Sequence, residues 1–178
     1  MIAWLAATWA LADAPVHLIA GATATAGLPS LGAGAVGRIA FTPFKIVGFE
    51  AGARELIATA ETRTLGAVFF GLRAATTPAS WLRGGFAHHH ETPWDVVKDD
   101  PVGAIAGIAP RIVHRSGAEL GFGVAPPVGG DVLSLGAELS VAVMPDSAGP
   151  NAYLFLDLIG AIHLGPRPQA DEAPLDEP

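Results

Sequence analysis

Apolar and polar residues alternate with a period of two along much of this chain, most regularly over residues 134–143. There Leu135, Ala137, Leu139, Val141 and Val143 fall on one side, and Ser134, Gly136, Glu138, Ser140 and Ala142 on the other. Successive side chains of a strand point to opposite faces, so this is a strand with one apolar face and one polar or small face. The pattern recurs at 118–125, where Leu120, Phe122 and Val124 oppose Glu119, Gly121 and Gly123. It recurs again at 152–164, where Leu154, Leu156, Leu158, Ile162 and Leu164 oppose Tyr153, Asp157 and His163. Strands of about ten residues, apolar on one side and bearing charges among small residues on the other, suit a membrane-spanning barrel.

Strand-like segments can be drawn at 16–26, 35–42, 45–54, 64–75, 80–91, 102–114, 118–126, 133–144 and 151–164. Long connections at 27–34, 55–63 and 92–101 alternate with tight ones at Pro43-Phe44, 76–79 and 115–117, as outer loops and inner turns of a barrel do. On this reading the long loops hold Arg54, Glu55, Glu61, Arg63 and the stretch from Trp94 to Pro101, facing outside. Nine segments conflict with the even count of single-chain bacterial barrels. Either 16–26 falls short of a span, or 35–54 is one strand bent at Pro43, or 133–164 divides differently. The expectation is an all-β, antiparallel up-and-down transmembrane β-barrel of about eight strands, the smallest that closes around its own side chains.

Composition agrees. Of 178 residues, 51% are hydrophobic and 15% charged, against about 25% charged in a typical soluble domain. No apolar run after the N-terminus is long enough for a transmembrane helix, which needs roughly 18 residues. The 22 glycines and 15 prolines break the chain at short intervals, favouring short strands. A net charge of −7 without a basic patch argues against nucleic acid. The acids at Asp95, Asp99 and Asp100 and at Asp171, Glu172, Asp176 and Glu177 read as a solvated loop and a solvated tail. With no cysteine, disulfides and thiolate metal sites are excluded.

Residues 1–12 read as a signal peptide: Ile2 to Ala12 is apolar and Ala10-Leu11-Ala12 has the small-x-small form of a cleavage site, although no Lys or Arg precedes Arg38. The barrel domain is expected over 13–165. The Pro-rich, acidic stretch 166–178 is expected to be disordered.

Opposite the apolar faces stand Arg38, Glu50, Arg73, Arg83, Arg111, Glu119, Glu138 and Asp157, four basic and four acidic. Inside a small barrel they are expected to pair with one another, since buried charge is tolerated when paired and hydrogen-bonded. The short signal-like start, the amphipathic strands and the charged interior resemble small outer-membrane β-barrels, broadly the OmpA/OmpW-like membrane domains, over about residues 16–164. That resemblance implies the outer membrane of a Gram-negative bacterium, contact with membrane lipid or lipopolysaccharide, and a structural or surface role or a narrow conduit for small solutes. No cofactor is implied.

Two constellations carry possible chemistry. In Phe86-Ala-His-His-His-Glu91, His88 and His90 share one strand face and His89 and Glu91 the other. His88 and His90 can reach one metal ion, with further ligands from His17, His114 or Asp95; the alternative is a strand end at the half-wet membrane interface beside Trp94. In His114-Arg-Ser116, a histidine and a serine again share a face, an arrangement that can activate a nucleophile. At these two positions the chain resembles lipid A 3-O-deacylase barrels, which implies a membrane-embedded lipid hydrolase; Ser116-Gly117 closing a hairpin, with Arg115 at the headgroups, is the simpler reading. A third reading is a soluble exported, lipocalin-like barrel binding an apolar ligand. Gly103, Gly107, Gly121 and Gly123 form no phosphate loop, because no Lys-Ser/Thr follows them.

Overall fold

A computed structural model describes residues 16–27, 30–44, 46–58, 63–128, 132–146, 149 and 151–165. The expected signal peptide, acidic tail and Glu61 lie outside these residues. The strands are β1 (Val16–Gly27), β2 (Ser30–Phe41), β3 (Val47–Ala58), β4 (Arg63–Thr77), β5 (Ser80–Pro93), β6 (Val113–Val124), β7 (Leu133–Val143) and β8 (Ala152–Leu164). Two short helices, α1 (Trp94–Asp99) and α2 (Pro101–Ala106), stand between β5 and β6. Each strand pairs antiparallel with its sequence neighbour, and β8 pairs with β1 to close the ring. The protein is thus an eight-stranded up-and-down barrel. Among the described residues no helix is long and apolar enough to cross a membrane.

Burial follows the alternation. On β8, Tyr153, Phe155, Asp157, Ile159 and Ala161 are buried, while Leu154, Leu156, Leu158 and Ile162 are exposed. On β6 and β7 the same holds for buried Arg115, Glu119, Glu138 and Ser140 against exposed Leu120, Phe122, Leu139 and Val141. The barrel is therefore inside out relative to a water-soluble one, with its large aliphatic side chains on the outer wall and its charges within.

Three expectations require correction. Of the segment 102–114 only Val113 and His114 are strand, as the start of β6. Pro101 occupies the first turn of α2, the Asp100 carboxylate accepts the Gly103 N–H at 2.9 Å, and Gly107 at φ +72° ends the helix. Capping at both ends, with Val102, Ile105 and Ile108 spaced by three, overrides the apolar run, and the count falls to eight. Residues 115–117 are not a turn but the interior of β6, with Arg115 pointing inward. All of 55–58 is strand, with Leu56 pointing inward and Ile57 outward, and so is most of 27–34; over 32–34 Gly and Ala fill positions where larger residues would mark the alternation. Gly34 shows why: a Cβ there would stand 1.9 Å from the Glu55 carbonyl oxygen on the neighbouring strand.

The strand ends at Phe41 and Val47, Thr77 and Ser80, and Val124 and Leu133 lie at the end of the barrel that holds the start of β1 and the end of β8. Those at Gly27 and Ser30, Ala58 and Arg63, Pro93 and Val113, and Val143 and Ala152 lie at the opposite end, called here the loop end.

Candidate functional site

The interior is filled in layers. An apolar layer of Ile19, Val36, Ala40, Trp81, Ala125, Ile159 and Ala161 lies toward the termini. Above it Arg38, from β2, binds Glu138 at 2.6 Å, Glu50 at 3.4 Å and Asp157. Arg54, from β3, binds Asp157 and Glu119, each at 2.8 Å, and donates to Ser140 Oγ at 3.2 Å. Arg83, from β5, binds Glu138 at 2.7 Å and also Glu119. Arg73 binds Glu50 at 2.8 Å and lies 3.8 Å over the Trp81 ring, whose indole N–H donates to Glu138 at 2.9 Å. Phe69 offers its ring to Arg83 at 4.2 Å, and Phe155 to Arg54 at 4.5 Å.

Toward the loop end Leu56, Leu65, Phe69, Ala87, Met144 and Phe155 form a second apolar layer. It is capped by a smaller ionic group. Arg115 donates to Asp146 at 2.7 Å and to the Tyr153 hydroxyl at 2.8 Å; that hydroxyl donates to Glu91 at 2.5 Å, and Glu91 also binds Arg63.

Of the residues expected inside, Arg38, Glu50, Arg73, Arg83, Glu119, Glu138 and Asp157 meet in one network. Arg111 does not. It sits on the exposed irregular stretch after α2, at φ +65°, and pairs at 2.5 Å with Asp95 on α1. Its hydrogen bond and charge hold the Asp95 carboxyl below its ordinary pKa. The fourth cation of this network is Arg54, the last residue of the expected 45–54 strand and expected among the outer-loop charges. The Glu50, Gly52, Arg54 alternation within that strand places it on the inward face.

His88 and His90 both point outward from β5, yet they do not gather a metal site. The His88 ring lies between Ser116 and His114 of β6, with Nδ1 2.9 Å from Ser116 Oγ and Nε2 3.1 Å from His114 Nδ1. His90 instead lies across Gly66 of β4, where a Cβ would stand 1.9 Å from its Nε2, and beneath Gly107. His17 is at the opposite end of the barrel, 2.6 Å from His163, and Asp95 is held by Arg111. Among the described residues no three His, Cys, Asp or Glu are grouped to hold a metal ion. His114 and Ser116 share the outer wall, as their spacing predicts, but the nitrogen nearest Ser116 belongs to His88 on the neighbouring strand.

These features define a class: a closed eight-stranded barrel with an apolar outer wall, an ion-paired interior and a polar patch near its loop end. No family model and no curated protein matches the sequence. Solved structures of the same architecture do match. Ail, the attachment invasion locus protein of Yersinia pestis, superposes with a TM-score of 0.53 at 10% identity, over 85% of this chain and 98% of that one. The N-terminal β-barrel domain of Pseudomonas aeruginosa OprF gives 0.55 at 11% identity, over 84% and 97%. Neisserial surface protein A gives 0.53 at 10% identity, over 86% and 97%. The architectural resemblance to small outer-membrane barrels therefore holds, and at these identities it is a likeness of fold.

Proposed function

We propose that this chain is an outer-membrane protein of a Gram-negative envelope, in contact with membrane lipid or lipopolysaccharide. Its role is structural or at the cell surface rather than that of a solute conduit. The observation that carries this reading is the stratified interior. Four arginines and four carboxylates neutralise one another across the lumen, and all but Arg73 have side chains no more than 2% exposed. An ion or sugar crossing the barrel would have to part these pairs and both apolar layers. The outer wall, with Leu120, Leu139 and Leu158 each more than half exposed, supports lipid as its surroundings. A soluble lipocalin-like carrier would need the reverse, an apolar cavity within.

Fractionation with a heat-modifiability gel, followed by reconstitution in planar bilayers, tests the reading. The expected result is recovery with the outer membrane, a folded band that shifts on boiling, and no single-channel steps. Recovery only in the soluble periplasm would sink the membrane assignment, and reproducible conductance steps would restore the conduit.

A second reading is favoured by the chain of contacts from Ser116 through His88 to His114. Near the loop end, on a wall that faces lipid, a serine with a histidine at its hydroxyl and a second histidine behind it suits hydrolysis of an acyl ester. In this reading Ser116 is the nucleophile, His88 the base, and His114 the group that orients it. Purified barrel incubated with lipid vesicles is then expected to release fatty acid, with release lost in Ser116→Ala and in His88→Ala. If wild type releases none, or both variants match it, this reading is removed.

A further inference from the structure

The outer wall is not uniform. On β7 and β8 the outward row stays apolar or small from end to end, through Leu133, Leu135, Leu139, Val141 and Val143 and through Leu154, Leu156, Leu158, Ile162 and Leu164. On β5 it is apolar only from Leu82 to Phe86 and then turns to His88, His90 and Thr92. On β6 it runs from Val124 through Phe122 and Leu120, then turns to Ser116 and His114. On β4, Leu72, Phe70 and Val68 give way to Gly66 and Thr64. The apolar belt is therefore cut short at the loop end of β4, β5 and β6.

Three residues of this polar section are buried although they point outward: Thr64, His90 and Thr92. The 94–109 excursion runs along this section. Helix α1 packs on β4 and β5. Gly107 brings the backbone so close that a Cβ there would be 3.2 Å from His90 Nδ1, and the Ile105 backbone hydrogen-bonds the His90 ring. The buried side of α2 is Gly103 and Ala104, with Gly103 against the Asp100 carboxylate. Its opposite side is Val102 and Ile105, three residues apart and so on one helix face, followed by Ile108 after the Gly107 turn. These three are 76%, 62% and 80% exposed. The exposed charges, Asp95, Lys98, Asp99, Asp100 and Arg111, sit on α1, at the N-cap of α2 and on the return to β6.

We infer that the 94–109 excursion is an interfacial membrane anchor: it covers the His90 part of the polar section and inserts Val102, Ile105 and Ile108 at the headgroup–acyl boundary of the leaflet around the loop end. The inference rests on the membrane-embedded reading above. Lipid is the occupant because the excursion lies against outward-pointing His90, on the outside of the same wall whose aliphatic rows carry the membrane reading. Gly107 and the Ile105 backbone meet His90, whose side chain points outward from β5, so the excursion lies on the outside of the barrel rather than across its mouth. A protein partner fits less well, since three aliphatic side chains without an aromatic anchor fall far short of the roughly 1,200 Å² that a stable interface buries. A short amphipathic segment with its apolar side a few ångströms below the headgroups is a recurrent mode of membrane contact.

The absence of cysteine makes the test direct. Single variants Ile105→Cys, Asp99→Cys and Leu120→Cys are labelled with the fluorophore NBD in the full chain, reconstituted in phosphatidylcholine vesicles and quenched with doxyl-labelled lipids. The expected result is blue-shifted emission at 105, quenched more by a shallow doxyl than by a deep one, with water-like emission at 99 and quenching at 120. Water-like, unquenched emission at 105 alongside quenching at 120 would overturn the anchor and leave the embedded barrel standing. Water-like emission at both 105 and 120 would overturn the membrane reading and the anchor with it.

Discussion

Replacing Arg54 by leucine is expected to destabilise the barrel by about 3–5 kcal/mol, the loss typical when one partner of a buried ion pair is removed. The guanidinium bridges Asp157 and Glu119 at 2.8 Å each, donates to Ser140, and stacks over Phe155. Without it, four interior carboxylates face three arginines, and the uncompensated charge lies where water does not reach. Leucine fills much of the volume, so lost charge balance rather than a cavity is the main term. The double variant Arg54→Leu/Asp157→Leu separates the two. It leaves Arg38, Arg73 and Arg83 against Glu50, Glu119 and Glu138, and should recover a large part of the loss, because an apolar pair can replace a buried ion pair at little net cost. Urea unfolding of the vesicle-reconstituted protein, followed by tryptophan emission, measures both. A single variant within about 1 kcal/mol of wild type would mean that water enters the lumen and screens the network.

Arg54 also shows where reading the chain stopped. The alternation was legible in β6, β7 and β8 because Leu, Val and Phe stand against Glu, Ser and Gly there. In β1 and β2 most outward residues are Ala or Gly, whose hydropathy contrast with an inward Gly or Thr is slight, and at the loop end of β3 the outward row holds the charged Glu55. Strand ends blurred, 27–34 and 55–63 read as loops, and Arg54 went with them. The opposite error made 102–114 a strand. An apolar stretch was taken at face value, while Asp100-Pro101 before it and Gly107 after it carried helix start and stop signals. That mistake drew Arg111 into the expected interior.

The outer-wall cluster was half legible for a different reason. Spacing within one strand placed His114 beside Ser116 and His88 beside His90. Contact across strands depends on register, and it is the register of β5 against β6 that sets His88 opposite Ser116 and His90 opposite His114. The burial of His90 depended further on α1 and α2 folding back along the outside wall, which no local pattern announces.

The proposed lipid surroundings make a prediction whose size differs between environments. Leu158 lies midway along β8, opposite Ala22 on β1 and Ala137 on β7, and is 59% exposed. Leu164 ends the same strand and is 47% exposed. In a bilayer, arginine at 158 is expected to cost about 2–4 kcal/mol and at 164 about 0–1 kcal/mol, because the charge of the first sits near the midplane and that of the second snorkels into headgroups. In water the two substitutions should be alike, each within about 0.5 kcal/mol, as is usual for exposed positions away from special features, and both should improve solubility. Folding yields and urea midpoints for Leu158→Arg and Leu164→Arg, measured in lipid vesicles, decide between these. Equal, small effects would place the aliphatic rows against something other than a hydrocarbon core. A steep difference between two leucines so similar in exposure exceeds what their strand neighbours, Ala22 and Ala137 for Leu158 and Val16 for Leu164, can supply. It must come from depth in a surrounding medium whose polarity changes along the barrel axis.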